Sequence, residues 1–346
     1  MNILLLASHA VAEYDDVRMF HDLGYGIFAP GGYENPATSG EGIRPALPQV
    51  PYHADLAAAC REQRERYGEP GPYIDWAKAR LHPDVIDWAD VIIVHHFPRP
   101  WVIEQWPSIA HKRVIWRTCG QSDSGLERDM ARLRRWGLQV VRYSPAERRY
   151  FEEVGAFAGE DALIRFGKYP DDYGPWVGDH IAVGNVTQRM VERGDACGYR
   201  FWQAATTGLP VAPAGPGSEA IGGIGELAYP DMLDYLRHLR AYLYTGTRPA
   251  SYTLGLIEAM LSGVPVVSIG MDAWGKDWGG EELFEGGLIT GEPSYFDPVA
   301  AREDLERYLL LDGLARTTGE RQRQRAIDLF GIDTIGPQWV DFLGQP

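Results

Sequence analysis

One carboxylate, Glu258, is the only charge in the stretch SYTLGLIEAMLSGVPVV (251–267). Placed on a helix, Ser251, Gly255, Glu258 and Ser262 fall within roughly 60° of one another, beside an apolar stripe of Leu254, Ile257 and Leu261. With Pro249 just ahead, Ser251 is the expected N-cap. The amides of Ser251, Tyr252 and Thr253 would then leave the helix tip as an anion site reinforced by the dipole. Glu258 would sit about 10 Å further along the same face, where a carboxylate can accept both hydroxyls of a vicinal diol. The plainer alternative is a capped core helix whose Glu is bonded to a nearby cation or amide.

Other side chains could join this chemistry. Arg189 follows the apolar run IAVGN and is a candidate phosphate ligand, since a guanidinium binds a diphosphate bidentately; Arg248, in the turn before the helix, is a candidate ligand for phosphate or sugar. Arg193 reads as a solvated helix face. His9 ends the first apolar run, and His95 and His96 end another; each could equally be a satisfied structural histidine. Asp16 could serve as a base, although acids often sit early in a helix because the dipole favours them there. Arg117 and Gln121 flank a Thr-Cys-Gly turn, where glycine permits close backbone approach. Residues 128–149 hold seven arginines against Asp129 and Glu147, a local balance of +5. Arg128, Arg132 and Arg135 share one helical face, which could grip a polyanion or simply be solvated. No HExxH, P-loop or clustered Cys/His spacing occurs, so no metal is expected, and the glycine-rich pieces lack the strand-GxGxxG-helix setting of a dinucleotide oxidoreductase.

The elements that must position these residues alternate. Runs at 2–7, 91–96, 113–118 and 138–144 read as buried parallel strands, with helices expected at 53–66, 73–80, 99–110 and 124–136. A Gly-, Pro- and Asp-rich stretch, 166–180, reads as a hinge, followed by strands at 181–185, 209–215, 241–246 and 264–270. The tail, 301–346, reads as helices broken near Gly331 and Gly336. At 346 residues, and 45% hydrophobic, the chain is long enough for two cores. The expected division is a Rossmann-like domain over 1–168, a second over 169–325, and a helix over 326–346 returning to the first. A net charge of −15 excludes a wholly basic nucleic-acid surface. Three scattered cysteines and no long apolar run point to a reducing cytoplasm and no membrane span.

The stretch 251–270 resembles the donor-site helix of GT-B glycosyltransferases, above all the large retaining family that uses nucleotide sugars. Glu258-Ala259-Met260, Gly263, Pro265, Val266 and Val267 match its A-M/L-x-x-G-x-P-V-V half, whereas the first acid of its E-x7-E pattern is Ala250 here. The resemblance implies an α/β fold of GT-B type, two Rossmann-like domains facing a central cleft, with C-terminal helices. It implies a UDP-sugar co-substrate with no other cofactor, Glu258 on ribose, residues 251–253 with Arg189 and Arg248 on diphosphate, and retained anomeric configuration. It would place His96 near the reacting sugar, with Asp16 and His9 standing as catalytic candidates by their positions alone. Segments 116–122, 141–151, 159–172 and 244–254 also look like bacteriophage glycosyltransferases. That implies a 5-hydroxymethylated pyrimidine of DNA as acceptor, contacted by Arg128, Arg132, Arg135, Arg117 and Gln121, in a host cytoplasm. A transferase making polysaccharide or glycolipid, and an inactive sugar-nucleotide binding protein, remain as alternatives.

Overall fold

A computed structural model describes residues 1–7, 9–38, 44–67, 80–95, 101–120, 122–270 and 294–346. The chain divides into two compact units, Met1–Gly167 with Ile332–Pro346, and Lys168–Gly331.

The first unit is built on β1 (Asn2–Leu6), β2 (Gly26–Phe28), β3 (Val91–His95), β4 (Arg113–Arg117), β5 (Gln139–Arg142) and β6 (Ala162–Leu163). All pair in parallel in the order β2-β1-β3-β4-β5-β6. Alternation sends Leu4, Leu6, Ile92 and Val94 into one core and Ile3, Leu5, Val91 and Ile93 into the other. Both faces are therefore buried, which is why these strands read as unbroken apolar runs. Around the sheet lie α1 (Ala10–Asp22), α2 (Ala54–Tyr67), α3 (Pro83–Trp88), α4 (Trp101–Ile109), α5 (Ser124–Arg134) and α6 (Pro145–Glu153). His9, Asp123 and Ser144 cap α1, α5 and α6. The C-terminal helix, Ile332–Leu343, closes one face: Ile335, Trp339 and Leu343 join the core of β1, and Trp339 meets Phe20 edge-on at 5.1 Å.

The second unit carries β7 (His180–Gly184), β8 (Leu239–Tyr244), β9 (Val266–Ile269) and β10 (Ser294–Tyr295), again parallel, in the order β10-β9-β8-β7. Its helices are α7 (Met190–Arg193), α8 (Tyr199–Thr206), α9 (Tyr229–His238), α10 (Leu254–Leu261), α11 (Pro298–Leu310) and α12 (Asp312–Phe330).

Several expectations need correction. The run 209–215 forms only an isolated bridge, Val211 to Val183, because two prolines remove ladder donors. The tail breaks at Gly331 but not at Gly336: the last helix runs through Gly336 and Pro337. Gly336 is small where Leu23 packs, a Cβ there lying 3.1 Å from Leu23 Cδ2. Most of the expected helix 73–80 lies outside the described residues. Cys60, Cys119 and Cys197 are free thiols, and among the described residues no helix is long and apolar enough to cross a membrane.

Candidate functional site

In open parallel sheets, ligands gather where the winding reverses, beyond the C-terminal strand ends. In the second unit the reversal is at β7, which lies between the Val211 bridge and β8. Three loops meet there. The Asn185 side chain donates to Leu243 O at 2.7 Å and accepts from Thr187 N at 2.6 Å, turning the chain out of β7. Ala214 N donates to Asn185 O (2.8 Å) and Arg189 N to Pro216 O (2.7 Å), joining 185–189 to 213–217. Thr245 Oγ1 donates to Cys197 O and Arg248 N to Ala196 O, both at 2.7 Å, fixing the turn after β8. Arg189 has φ of 48°, a left-handed conformation that costs a non-glycine residue roughly 1–2 kcal/mol. Its side chain is 66% exposed, with Glu192 3.9 Å away. Arg193 is likewise exposed, and Arg248 is half-buried.

The helix with the lone acid starts two residues later than its sequence suggests. Thr253, not Ser251, is the N-cap: its Oγ1 accepts from Leu256 N at 3.3 Å. Ser251 and Tyr252 face inward, fully or nearly fully buried, and the Tyr252 ring lies 5.4 Å from that of Phe330. The amides at the helix tip are therefore those of Leu254 and Gly255, preceded by the half-buried Thr253. Glu258 then lies about 6 Å along the axis from Leu254, rather than two turns from the tip. Gly255 admits the β7 loop, because a Cβ there would lie 2.7 Å from Val186 Cγ2. Val186 N donates in turn to the buried Tyr242 hydroxyl at 3.2 Å. Burial raises that phenol well above its ordinary range, so it stays protonated.

Glu258 is buried and ion-paired: its Oε1 is 2.8 Å from Lys168 Nζ, with side chains 4% and 2% exposed. Lys168 stands in the segment 159–172 that resembles phage enzymes, yet nothing in its type or spacing marked it, because the pair is 90 residues apart.

In the first unit the winding reverses between β1 and β3. His95 ends β3, with Nε2 2.9 Å from Asp16 Oδ2, and Arg117 Nε is 3.7 Å from the same oxygen. The first contact has ion-pair distance without the angle of a hydrogen bond. All three residues are buried, and the Arg117 guanidinium lies over the rings of Trp339 (4.8 Å) and Phe166 (5.3 Å). Asp16, His95 and Arg117 thus engage one another inside the first unit. His9 is exposed and caps α1 through Nδ1, 3.4 Å from Ala12 N. His96 and Gln121 lie outside the described residues. Glu13, which the sequence did not single out, is buried on α1 with Oε2 accepting from Gly32 N at 2.9 Å.

The arginine-rich segment separates into two populations. Arg142 is fully buried on Glu127 (2.6 Å) and Glu147 (3.2 Å). Arg134, Arg148 and Arg149 face Asp161, Glu152 with Glu160, and Glu153. Arg128, Arg132 and Arg135 remain exposed along α5, Arg132 with Asp129 at 3.3 Å. Among the described residues no group of three or more His, Cys, Asp or Glu could hold a metal ion.

No family model matches the chain, and no curated protein matches it by sequence. Solved structures match over its whole length. Sucrose-phosphate synthase from Thermosynechococcus elongatus aligns with a TM-score of 0.65 at 14% identity, covering 100% of this chain and 98% of that one. Anabaena Alr3699/HepE, solved in complex with UDP-glucose, aligns at 0.65 and 15% identity, covering 100% of both. An α-glucosyltransferase solved with UDP and a 13-mer DNA containing an HMU base aligns at 0.60 and 9% identity, covering 99% of both. With parallel sheets wound as in those enzymes and helices at its C-terminus, this chain has the fold of the GT-B glycosyltransferases.

Proposed function

We propose that the chain is a glycosyltransferase that moves a hexose from a UDP-sugar to an acceptor hydroxyl. The observation that carries this reading is the geometry of α10. Its tip offers the amides of Leu254 and Gly255, Gly255 lying against Val186 of the loop that leads to Arg189, with the turn bearing Arg248 just ahead, and a buried carboxylate follows one turn on. A diphosphate at the tip would be held by the amides, the helix dipole and the guanidiniums, and its ribose diol would reach Glu258. As the bond from anomeric carbon to phosphate oxygen breaks, the same groups stabilise the charge on the departing UDP. The second unit thereby takes the donor and the first the acceptor. HepE and the α-glucosyltransferase, both solved with UDP, support the choice of nucleotide.

The acceptor we infer is a 5-hydroxymethylated pyrimidine in DNA, and the outcome at the anomeric carbon is retention. The exposed arginines of α5 and the neighbour solved with HMU-containing DNA support the acceptor. The test is mass spectrometry of products after incubation with UDP-glucose, UDP-N-acetylglucosamine and UDP-galactose, using hydroxymethylated DNA, unmodified DNA and oligosaccharides as acceptors. A mass gain of one hexose on hydroxymethylated DNA alone is expected. In Glu258→Gln the donor KM should rise about 10- to 100-fold, the worth of a charged hydrogen bond, with the acceptor KM unchanged. Sugar transfer to oligosaccharide alone overturns the acceptor; UDP binding with no turnover on any acceptor identifies a binding protein instead.

A further inference from the structure

Lys168 is held in place from both sides. Its backbone N–H donates to Phe330 O at 2.8 Å, and its Cα is paired with Gly331 in an isolated parallel bridge. Arg323 links the next residues to α10, donating to Leu261 O at 2.8 Å and to Pro170 O and Tyr173 O at 3.4 Å. The ammonium is thus delivered to Glu258 Oε1 by a braced backbone rather than by a loose surface side chain.

The chemistry gives that delivery a purpose. A carboxylate as buried as Glu258 is costly unless a charge of opposite sign compensates it. A diol ligand needs an acceptor. The Lys168 ammonium at 2.8 Å supplies that charge at Oε1, and a carboxylate can accept from more than one donor at once. We propose that Lys168 is a positioning residue for donor recognition: it compensates the buried charge of Glu258 and orients its carboxylate, so that α10 selects nucleotides carrying a vicinal ribose diol. The inference rests on the reading of Glu258 as the ribose ligand.

Binding of UDP and of 2′,3′-dideoxy-UDP is measured by calorimetry for wild type, Lys168→Met and Lys168→Arg. Wild type should prefer UDP by about 10- to 100-fold. Lys168→Met should lose that preference by weakening UDP while leaving the dideoxy nucleotide unchanged, and Lys168→Arg should restore most of it. Equal weakening of both nucleotides, or weakening of neither, overturns the proposal. Where Lys168→Met does not fold, Lys168→Gln replaces it; it keeps an N–H donor without the charge and should lose at least tenfold in diol preference, an unchanged preference overturning the proposal. A wild-type protein that binds the two nucleotides equally sinks the ribose reading itself, a result distinct from an unaffected Lys168→Met.

Discussion

Glu13 gives the fold a pH dependence that one substitution should remove. It lies on α1, 1% exposed, and Gly32 N donates to Oε2 at 2.9 Å. Gly31 passes so close that a Cβ there would lie 2.7 Å from Oε1. Burial lifts this carboxyl from 4.5 to about 8, the amides of Gly32, Tyr33 and Gly31 offsetting part of the rise. Because the folded value is the higher one, Glu13 favours folding most below pH 4.5, where both states hold the proton. That contribution shrinks as pH rises, since the unfolded chain has released the proton while the folded one retains it. Between pH 5 and pH 8 the loss amounts to about 3–4 kcal/mol at about 1.36 kcal/mol per pH unit. Glu13→Gln keeps a carbonyl for Gly32 N–H and cannot ionise. Hydrogen exchange of peptides from β1 and α1 at several pH values reads the first unit directly, after correction for intrinsic exchange rates. Wild type should lose protection from pH 5 to 8 and the variant should be flatter by about two to three decades in opening constant. Equal pH slopes in the two proteins would mean that Glu13 is ionised in the fold and that the three amides outweigh desolvation.

Arg142→Met removes the cation shared by two buried acids, leaving Glu127 and Glu147 with hydroxyl and amide donors but without its charge. A loss of about 3–5 kcal/mol is expected, read as a drop in the first unit's unfolding temperature by calorimetry. Gly255→Ala puts a methyl 2.7 Å from Val186 Cγ2, so the β7 loop must retreat from the tip of α10. UDP affinity should fall at least fivefold while the overpacking costs about 1–3 kcal/mol of stability, both measurable on one preparation by calorimetry.

The strands were legible because each is buried on both faces: β1, β3, β4, β8 and β9 are apolar runs that little else in a soluble chain resembles. β2 escaped because Gly26–Phe28 is three residues long, too short for any period to register. Glu258 was legible as a lone charge on an apolar helix, whereas its partner was not. Lys168 sits in a polar loop where a lysine is unremarkable by composition, and only the fold brings it 2.8 Å from the acid. The cap was displaced from Ser251 to Thr253 for a related reason. Both are good caps by type, and the choice fell to the packing of Tyr252 against Phe330, which draws residues 251 and 252 inward and leaves Thr253 to start the helix. The Asp16–His95–Arg117 cluster was likewise invisible in the sequence, because only the fold brings these three residues of α1, β3 and β4 together inside the first unit.

The arginine segment shows how counting charge along a sequence misjudges charge on a surface. The local balance of +5 over 128–149 includes Arg142, which is internal, and omits Glu152, Glu153, Glu160 and Asp161, which answer three of the other arginines from outside that window. The α5 arginines that reach solvent are Arg128, Arg132 and Arg135, with Arg132 shared with Asp129; Arg148 and Arg149 are exposed too, but each stands beside a carboxylate. Even with all three α5 arginines on phosphates, this face would give DNA binding a salt slope no steeper than about −3. Direction matters as well. In a parallel unit the helix after β4 runs back from the strand ends, so from Ser124 the three arginines lie about 6, 12 and 17 Å down the axis. A polyanion gripped there extends away from the chemistry. Such contacts position a backbone and speed encounter but carry no information about which base is modified. Selection of a hydroxymethylated base, if DNA is the acceptor, must therefore be made at the C-terminal strand ends by groups other than this face.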